Sequence, residues 1–186
     1  NLKNQESVQK TVVKKGITAK RDLRKMHRLV YAVLFFMCFI SCDKTAAFHE
    51  YKSLPKYWKS DSAVILKVND LDTLSQYNAF ITLRNDNAYA FSNLFLITEM
   101  QFPNGKTITD TLEYKMAEPD GSWLGEGFGD LKENKLWYKE NIQFNETGTY
   151  TFKVKQAMRR NGDVDPISDL EGIKDVGLRI EKTNEL

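Results

Sequence analysis

The side chains that could carry chemistry in this sequence are few: two histidines, two cysteines and scattered carboxylates. His27 precedes a long apolar run, so His49 stands alone in the rest of the chain. Histidine-based zinc sites generally need two or three such ligands, and a serine nucleophile needs a well-supported histidine base. Neither can be assembled. No P-loop and no dinucleotide fingerprint is present. Gly125-Glu-Gly127-Phe-Gly129 is rich in glycine but lacks the helix and lysine of a phosphate loop. Asp120, Glu126 and Asp130 could offer a glycosidase its acid and base, although spacing in sequence does not fix their separation in space. Asp163, Asp165, Asp169 and Glu171 offer oxygen ligands for calcium, but Gly162-Asp-Val-Asp-Pro166 is not an EF-hand loop. The plain reading of both groups is solvated turn acids. The expectation is therefore no catalytic residue, no metal and no cofactor.

Aromatics suggest binding instead. Trp123 and Phe128 sit among glycines rather than in an alternating strand. Exposed, they could stack on a sugar ring or anchor a protein partner; folded back, they would cap the end of a core. Tyr57-Trp58 and Trp137-Tyr138 are read as core by default.

The thiols depend on what precedes them. Leu29 to Ile40 is unbroken apolar sequence behind Lys20, Arg21, Arg24, Lys25 and Arg28. A membrane span needs about 20 apolar residues, and a core helix should show a polar face. A basic flank, a short apolar run and a small residue at its end describe a secretion signal. Phe39-Ile-Ser-Cys42 resembles the lipobox of bacterial lipoproteins, which implies a diacylglycerol thioether on Cys42 and cleavage before it. Each acyl CH₂ buried in the bilayer contributes about 0.8 kcal/mol, and several chains on one cysteine make a lasting anchor. The alternative is a free thiol at Cys42.

With Met26 as the natural start, 26–41 is the lipoprotein signal peptide and 42–47 a tether. Residues 1–25, basic and polar, read as a disordered upstream extension or a gene-model artefact. A nucleic-acid-binding arm there would be cut off from the remainder. Nine of the 27 basic residues and two of the 25 acidic ones precede Cys42, leaving 18 and 23, near −5 net. That part has no basic field for nucleic acid. It is one domain in size, and with Cys38 removed it holds no disulfide.

From 48 to 182 the pattern is strands. Ala63–Val68 is β-branched and apolar; Tyr77–Arg84 alternates with Tyr77, Ala79, Ile81 and Leu83 inward; Asn93–Phe102 suits a central strand. Asn104-Gly105 between apolar runs marks a tight hairpin, with Thr107–Met116 returning. Ala117–Asp130 is a loop. Leu136–Tyr138 and Ile142–Phe144 resume an extended reading. Thr149–Ala157 alternates with Tyr150, Phe152 and Val154 inward, Asp169–Ile173 suits a short helical turn, and Val176–Glu181 is a last strand. Residues 183–186 are a tail. Short strands, polar turns and no interleaved helices predict an all-β, antiparallel sandwich, jelly-roll or immunoglobulin-like.

Several stretches then come together. They include Phe48-His-Glu-Tyr-Lys-Ser-Leu-Pro55, Phe102-Pro-Asn-Gly-Lys106, Asp120-Gly-Ser-Trp-Leu-Gly125, Lys132-Glu-Asn-Lys-Leu-Trp-Tyr138 and Gly172-Ile-Lys-Asp-Val-Gly177. With Cys42, they resemble the GldH gliding-motility lipoprotein family of Bacteroidetes, from Cys42 to Lys182. The resemblance implies a non-enzymatic envelope lipoprotein needed for gliding and linked to type IX secretion. Its partners would be other gliding and secretion proteins of the envelope, and its place lipid-anchored at the periplasmic side of the outer membrane. Only Cys42 carries over as a site residue. A glycan-binding sandwich using Trp123 is the alternative. Asp61-Ser62-Ala63, Asp72-Thr73-Leu74 and Asp110-Thr111-Leu112 also resemble the O-glycosylation pattern of the same phylum, making Ser62 and Thr73 candidates. Thr111, mid-strand, is expected to be the least accessible.

Overall fold

The structure, a computed structural model, describes residues 46–183. Cys42, the signal segment and the upstream extension lie outside the described residues. Among the described residues the chain forms ten strands and no helix. They are β1 (Ala46–Ser53), β2 (Tyr57–Lys59), β3 (Val64–Val68), β4 (Gln76–Asn85), β5 (Asn93–Gln101), β6 (Thr107–Lys115), β7 (Lys132–Gln143), β8 (Tyr150–Gln156), β9 (Asp169–Glu171) and β10 (Ile173–Lys182).

Their pairing is nested. β5 pairs with β6, β4 with β7, β3 with β8, β2 with β9 and β1 with β10, every pair antiparallel. The chain is thus one long hairpin, rolled so that β10 also meets β4 and β8 also meets β5. Rolling yields two four-stranded sheets, β1-β10-β4-β7 and β3-β8-β5-β6, with β2-β9 as a small third. This order is the jelly roll, in which two sheets face each other through Greek-key connections. It decides between the two sandwich classes that the sequence leaves open.

The hairpin tip has a local cause. Gly105 N–H donates to Phe102 O at 2.9 Å, and Lys106 N–H donates to Asn104 Oδ1 at 2.8 Å. Pro103 presets the turn, and Gly105 takes the left-handed φ of +89° that closes it. Asn104 stays at negative φ, so this is a three-residue turn with a glycine bulge rather than a two-residue one.

The core lies between the two large sheets. Leu66, Leu94, Leu96, Phe152 and Val154 from one meet Ala79, Ile81, Leu83, Leu178 and Ile180 from the other, all fully buried. Fully burying each such larger apolar side chain contributes about 1.5–3 kcal/mol. Phe144 links the sheets at one end, its ring 5.6 Å from Tyr77 and 4.9 Å from Tyr150. The alternation expected for the strand of Tyr150, Phe152 and Val154 holds.

Other elements differ from expectation. Ala46 and Ala47, read as tether, begin β1. Asp169–Ile173 is not a helical turn: Asp169–Glu171 is strand β9, with Leu170 buried opposite Trp58. Gly172, at φ +89°, then turns the chain where its α-carbon abuts the Tyr89 backbone. β7 is continuous through Lys132–Lys135, because a charged segment can hold a strand when β4 supplies the ladder. β4 is buried on both faces at Phe80 and Thr82 as well as at its odd positions. It is a central strand, and its outer face is covered: Trp137 lies 4.4 Å from the Phe80 ring, and the Lys135 ammonium 4.1 Å above it.

Candidate functional site

Strand register fixes where the Trp123 loop stands. Ala46, at the start of β1, pairs with Glu181. Ser53, at its end, belongs to a row running across the sheet through Asp175, Arg84 and Glu133 to Glu126. The loop is therefore tied to the opposite end of the sheet from Ala46, about 24 Å away at 3.4 Å per residue.

The loop is held at several points. Glu126 and Glu133 exchange both backbone hydrogen bonds, at 2.9 and 2.7 Å. Lys132 Nζ donates to Gly127 O at 2.7 Å. Gly127 has φ +140°, and a Cβ there would meet Leu131 O at 2.6 Å, so only glycine fits. Asp120 accepts from the Ser122 amide and hydroxyl, which holds its carboxyl below the usual range. Asp130 accepts from Asn87 Nδ2 at 2.7 Å. Two of the three carboxylates weighed as acid and base thus brace the loop, and the third, Glu126, braces it through its backbone.

The two aromatic candidates part company. Trp123 packs on the core, its indole N–H donating to Asn87 Oδ1 at 3.0 Å and its ring 6.1 Å from Tyr89. Phe128 is fully exposed at the tip, with Leu124 and Leu131 about half exposed beside it. These three apolar residues line an open groove of about 990 Å³ whose charged members include Arg84, Lys115, Glu126 and Glu133.

Elsewhere, strand alternation divides the two aromatic pairs read as core. Trp58 and Tyr138 are buried, while Tyr57 and Trp137 are exposed. Trp137 is 52% exposed on the outer face of β7, in a layer that also holds Tyr51 beneath the Arg84 guanidinium at 4.2 Å. Nothing in the sequence marked that layer, since only pairing aligns Tyr51, Phe80 and Trp137 across four strands. His49 stands in β1, its ring 5.0 Å from Tyr51. Among the described residues no three of His, Cys, Asp and Glu come together as metal ligands; Glu171, of the calcium candidates, faces Lys56 at 3.6 Å. Ser62 is exposed and Thr73 half-buried. Thr111 is exposed on edge strand β6, contrary to the expectation that it would be the least accessible, because its side chain points off the outer face.

A second groove, of about 650 Å³, lies on the outer face of the β3-β8-β5-β6 sheet. Phe95 and Ile97 line it with Ala157, Pro166, Lys155 and Arg159.

Comparison with known proteins gives a consistent family. The model of the GldH lipoprotein family matches residues 46–180. A protein of Christiangramia forsetii described as a gliding motility lipoprotein GldH homolog is 53% identical over 161 residues, covering 84% of this chain and 99% of its own. The gliding motility lipoprotein GldH of Flavobacterium johnsoniae is 48% identical over 154 residues, covering 83% and 93%. Among solved structures, a chain of infectious bursal disease virus, Gx strain, matches at TM-score 0.34 and 11% identity, covering 77% of this chain and 34% of its own, a likeness too low to bear on function.

Proposed function

Because this chain belongs to the GldH lipoprotein family, we propose that it serves gliding motility as a non-catalytic, lipid-anchored scaffold of the cell envelope. The observation that carries this reading is the family match over 46–180, with relatives that carry the gliding-motility description and align over nearly their whole length. On this reading the apparatus it serves includes the type IX secretion machinery, and its place is the periplasmic side of the outer membrane.

The chemistry supports the parts as follows. Cys42 stands four residues before Ala46, a covalent reach of at most about 14 Å. An acyl anchor there holds the β1 start near the bilayer and leaves the Phe128 loop at the far end of the sheet. Two of the three carboxylates that could have served a hydrolase, Asp120 and Asp130, are engaged in bracing their loop, which favours a binding role over a catalytic one. Partners are other envelope proteins; the net negative charge beyond Cys42 disfavours nucleic acid.

Cys42→Ala tests the anchor. The variant is expected to lose palmitate labelling, leave the membrane fraction and fail to restore surface spreading to a strain lacking the gene. Undiminished labelling would refute lipidation at Cys42. Co-purification of the intact lipoprotein with secretion components tests the scaffold role, and recovery of none would remove it.

A further inference from the structure

The Phe128 loop and the Phe95–Ile97 groove both expose apolar side chains and are opposite in charge. From Ala117 to Leu131 the chain carries four acids, Glu118, Asp120, Glu126 and Asp130, and no lysine or arginine. Lys115 pairs with Glu118 at 2.6 Å and Lys132 reaches Gly127 O, which leaves Asp120, Glu126 and Asp130 as the loop's acids outside an ion pair among the described residues. At its tip stand fully exposed Phe128 and half-exposed Leu124 and Leu131, on a backbone pinned by the Glu126–Glu133 bonds. An exposed phenylalanine on a braced loop loses little conformational freedom on burial, which makes it a suitable anchor.

The groove has the opposite character. Its apolar floor is Phe95 and Ile97, the latter 38% exposed, with Ala157 and Pro166 beside them. Lys155 and Arg159 stand in its lining, and neither forms an ion pair with a described carboxylate. Asp61 is the one acid that lines it. Its volume of about 650 Å³ is ample for a phenyl ring and flanking residues.

Position adds a third constraint. β8 starts at Tyr150, opposite Val68, beside the turn that leads into β4. Thr183 N–H bonds to Gln76 O at that same end, where Ala46 also lies. Gln156 and the groove are thus at the other end, the one that carries the Phe128 loop. Loop and groove lie at one height above the Ala46 end but on different faces of the sandwich. One copy can then present its loop to the groove of a neighbour while presenting its own groove to the next. Such head-to-tail contacts build rows or rings rather than closed twofold pairs. The contact is small, and confinement of copies to one membrane raises the effective concentration that it needs.

We propose that copies of this protein associate laterally in the membrane, the Phe128 loop of one seated in the Phe95–Ile97 groove of the next. The lateral arrangement rests on the lipid-anchored reading above.

The test places p-benzoylphenylalanine at position 128 of the full lipidated chain in its own membrane, co-expressed with a second copy bearing a different tag. Irradiation is expected to give a covalent species carrying both tags, with the crosslinked peptide from β5 or from residues 156–167. A crosslink confined to one chain, a crosslink only to a different protein, or no two-tag species would each overturn the proposal. Ile97→Glu in the second copy is expected to lower the two-tag product about tenfold or more, the loss typical of an interface anchor. Arg159→Glu should lower it as well, and Glu126→Arg in the loop-bearing copy should restore part of it; no effect of Arg159→Glu would remove the charge pairing. Palmitate labelling is read on the same sample. Labelled protein without two-tag product refutes self-association and leaves the anchor standing, whereas unlabelled protein refutes the anchor and the lateral arrangement with it.

Discussion

Two glycines with the same backbone angle should differ sharply when replaced by alanine. Gly105 and Gly172 both have φ +89°. An L-residue in the left-handed region costs about 1–2 kcal/mol, partly offset by about 0.4–1 kcal/mol from restriction of the unfolded chain. At Gly105 a Cβ would meet nothing within 4 Å, so Gly105→Ala should cost about 1 kcal/mol in all. At Gly172 the Cβ would fall well inside 3.0 Å of the Tyr89 amide nitrogen and α-carbon. That backbone is not free to retreat. Asp86 N–H donates to Gly172 O at 2.9 Å, Tyr89 N–H donates to Asp86 O at 3.1 Å, and the Tyr89 hydroxyl donates to Asn93 O at 2.6 Å. Tyr89 itself is buried. Overpacking of this kind adds about 1–3 kcal/mol, so Gly172→Ala should cost about 3 kcal/mol. Urea and thermal unfolding of the full chain in mild detergent, followed by tryptophan fluorescence, measure both. At about 3 °C per kcal/mol for a domain of this size, the melting points should separate by about 6 °C. Equal losses for the two variants would show that the close approach of Gly172 to Tyr89 is not what fixes that residue.

Phe144→Ala removes a buried ring packed edge-on against Tyr77, Tyr150 and Phe152 and should cost about 3–5 kcal/mol in the same assay. Gln156→Leu keeps the volume but removes the donor to Ile167 O (2.7 Å) and the acceptor for Met158 N–H (2.9 Å); with one buried and one partly buried backbone group left unpaired it should cost about 2 kcal/mol. Burial pushes the Tyr51 and Tyr114 hydroxyls up to about 12 and raises Tyr89 and Tyr138 as well. Below pH 10 folded and unfolded forms are equally protonated at these groups; between 10 and about 12 only the unfolded chain ionises, so stability falls as pH rises through that window. Absorbance at 295 nm should show tyrosinate from these residues appearing late, together with unfolding, and full ionisation near pH 10 in the folded protein would contradict their burial.

Local rules made much of the sandwich legible in the sequence. Period-two alternation marked the inward residues of β8, because a strand half-buried on a sheet must alternate. Pro103, Asn104 and Gly105 marked the tip of the long hairpin, because turn geometry resides in the residues that adopt it. The motifs shared with the GldH family identified the chain's kin. Nested pairing was not legible. Whether β1 meets β10, or three residues at Asp169–Glu171 form a strand, depends on partners more than 100 positions apart, and no window of sequence holds both. The same non-locality hid the covered outer face of β4, where Phe80 is buried by side chains from neighbouring strands, and it separated Trp123 from Phe128. Both are aromatic residues among glycines in one loop; only the placement of Asn87 and Tyr89 beneath one of them decided which ring the core would take and which would be left in solvent.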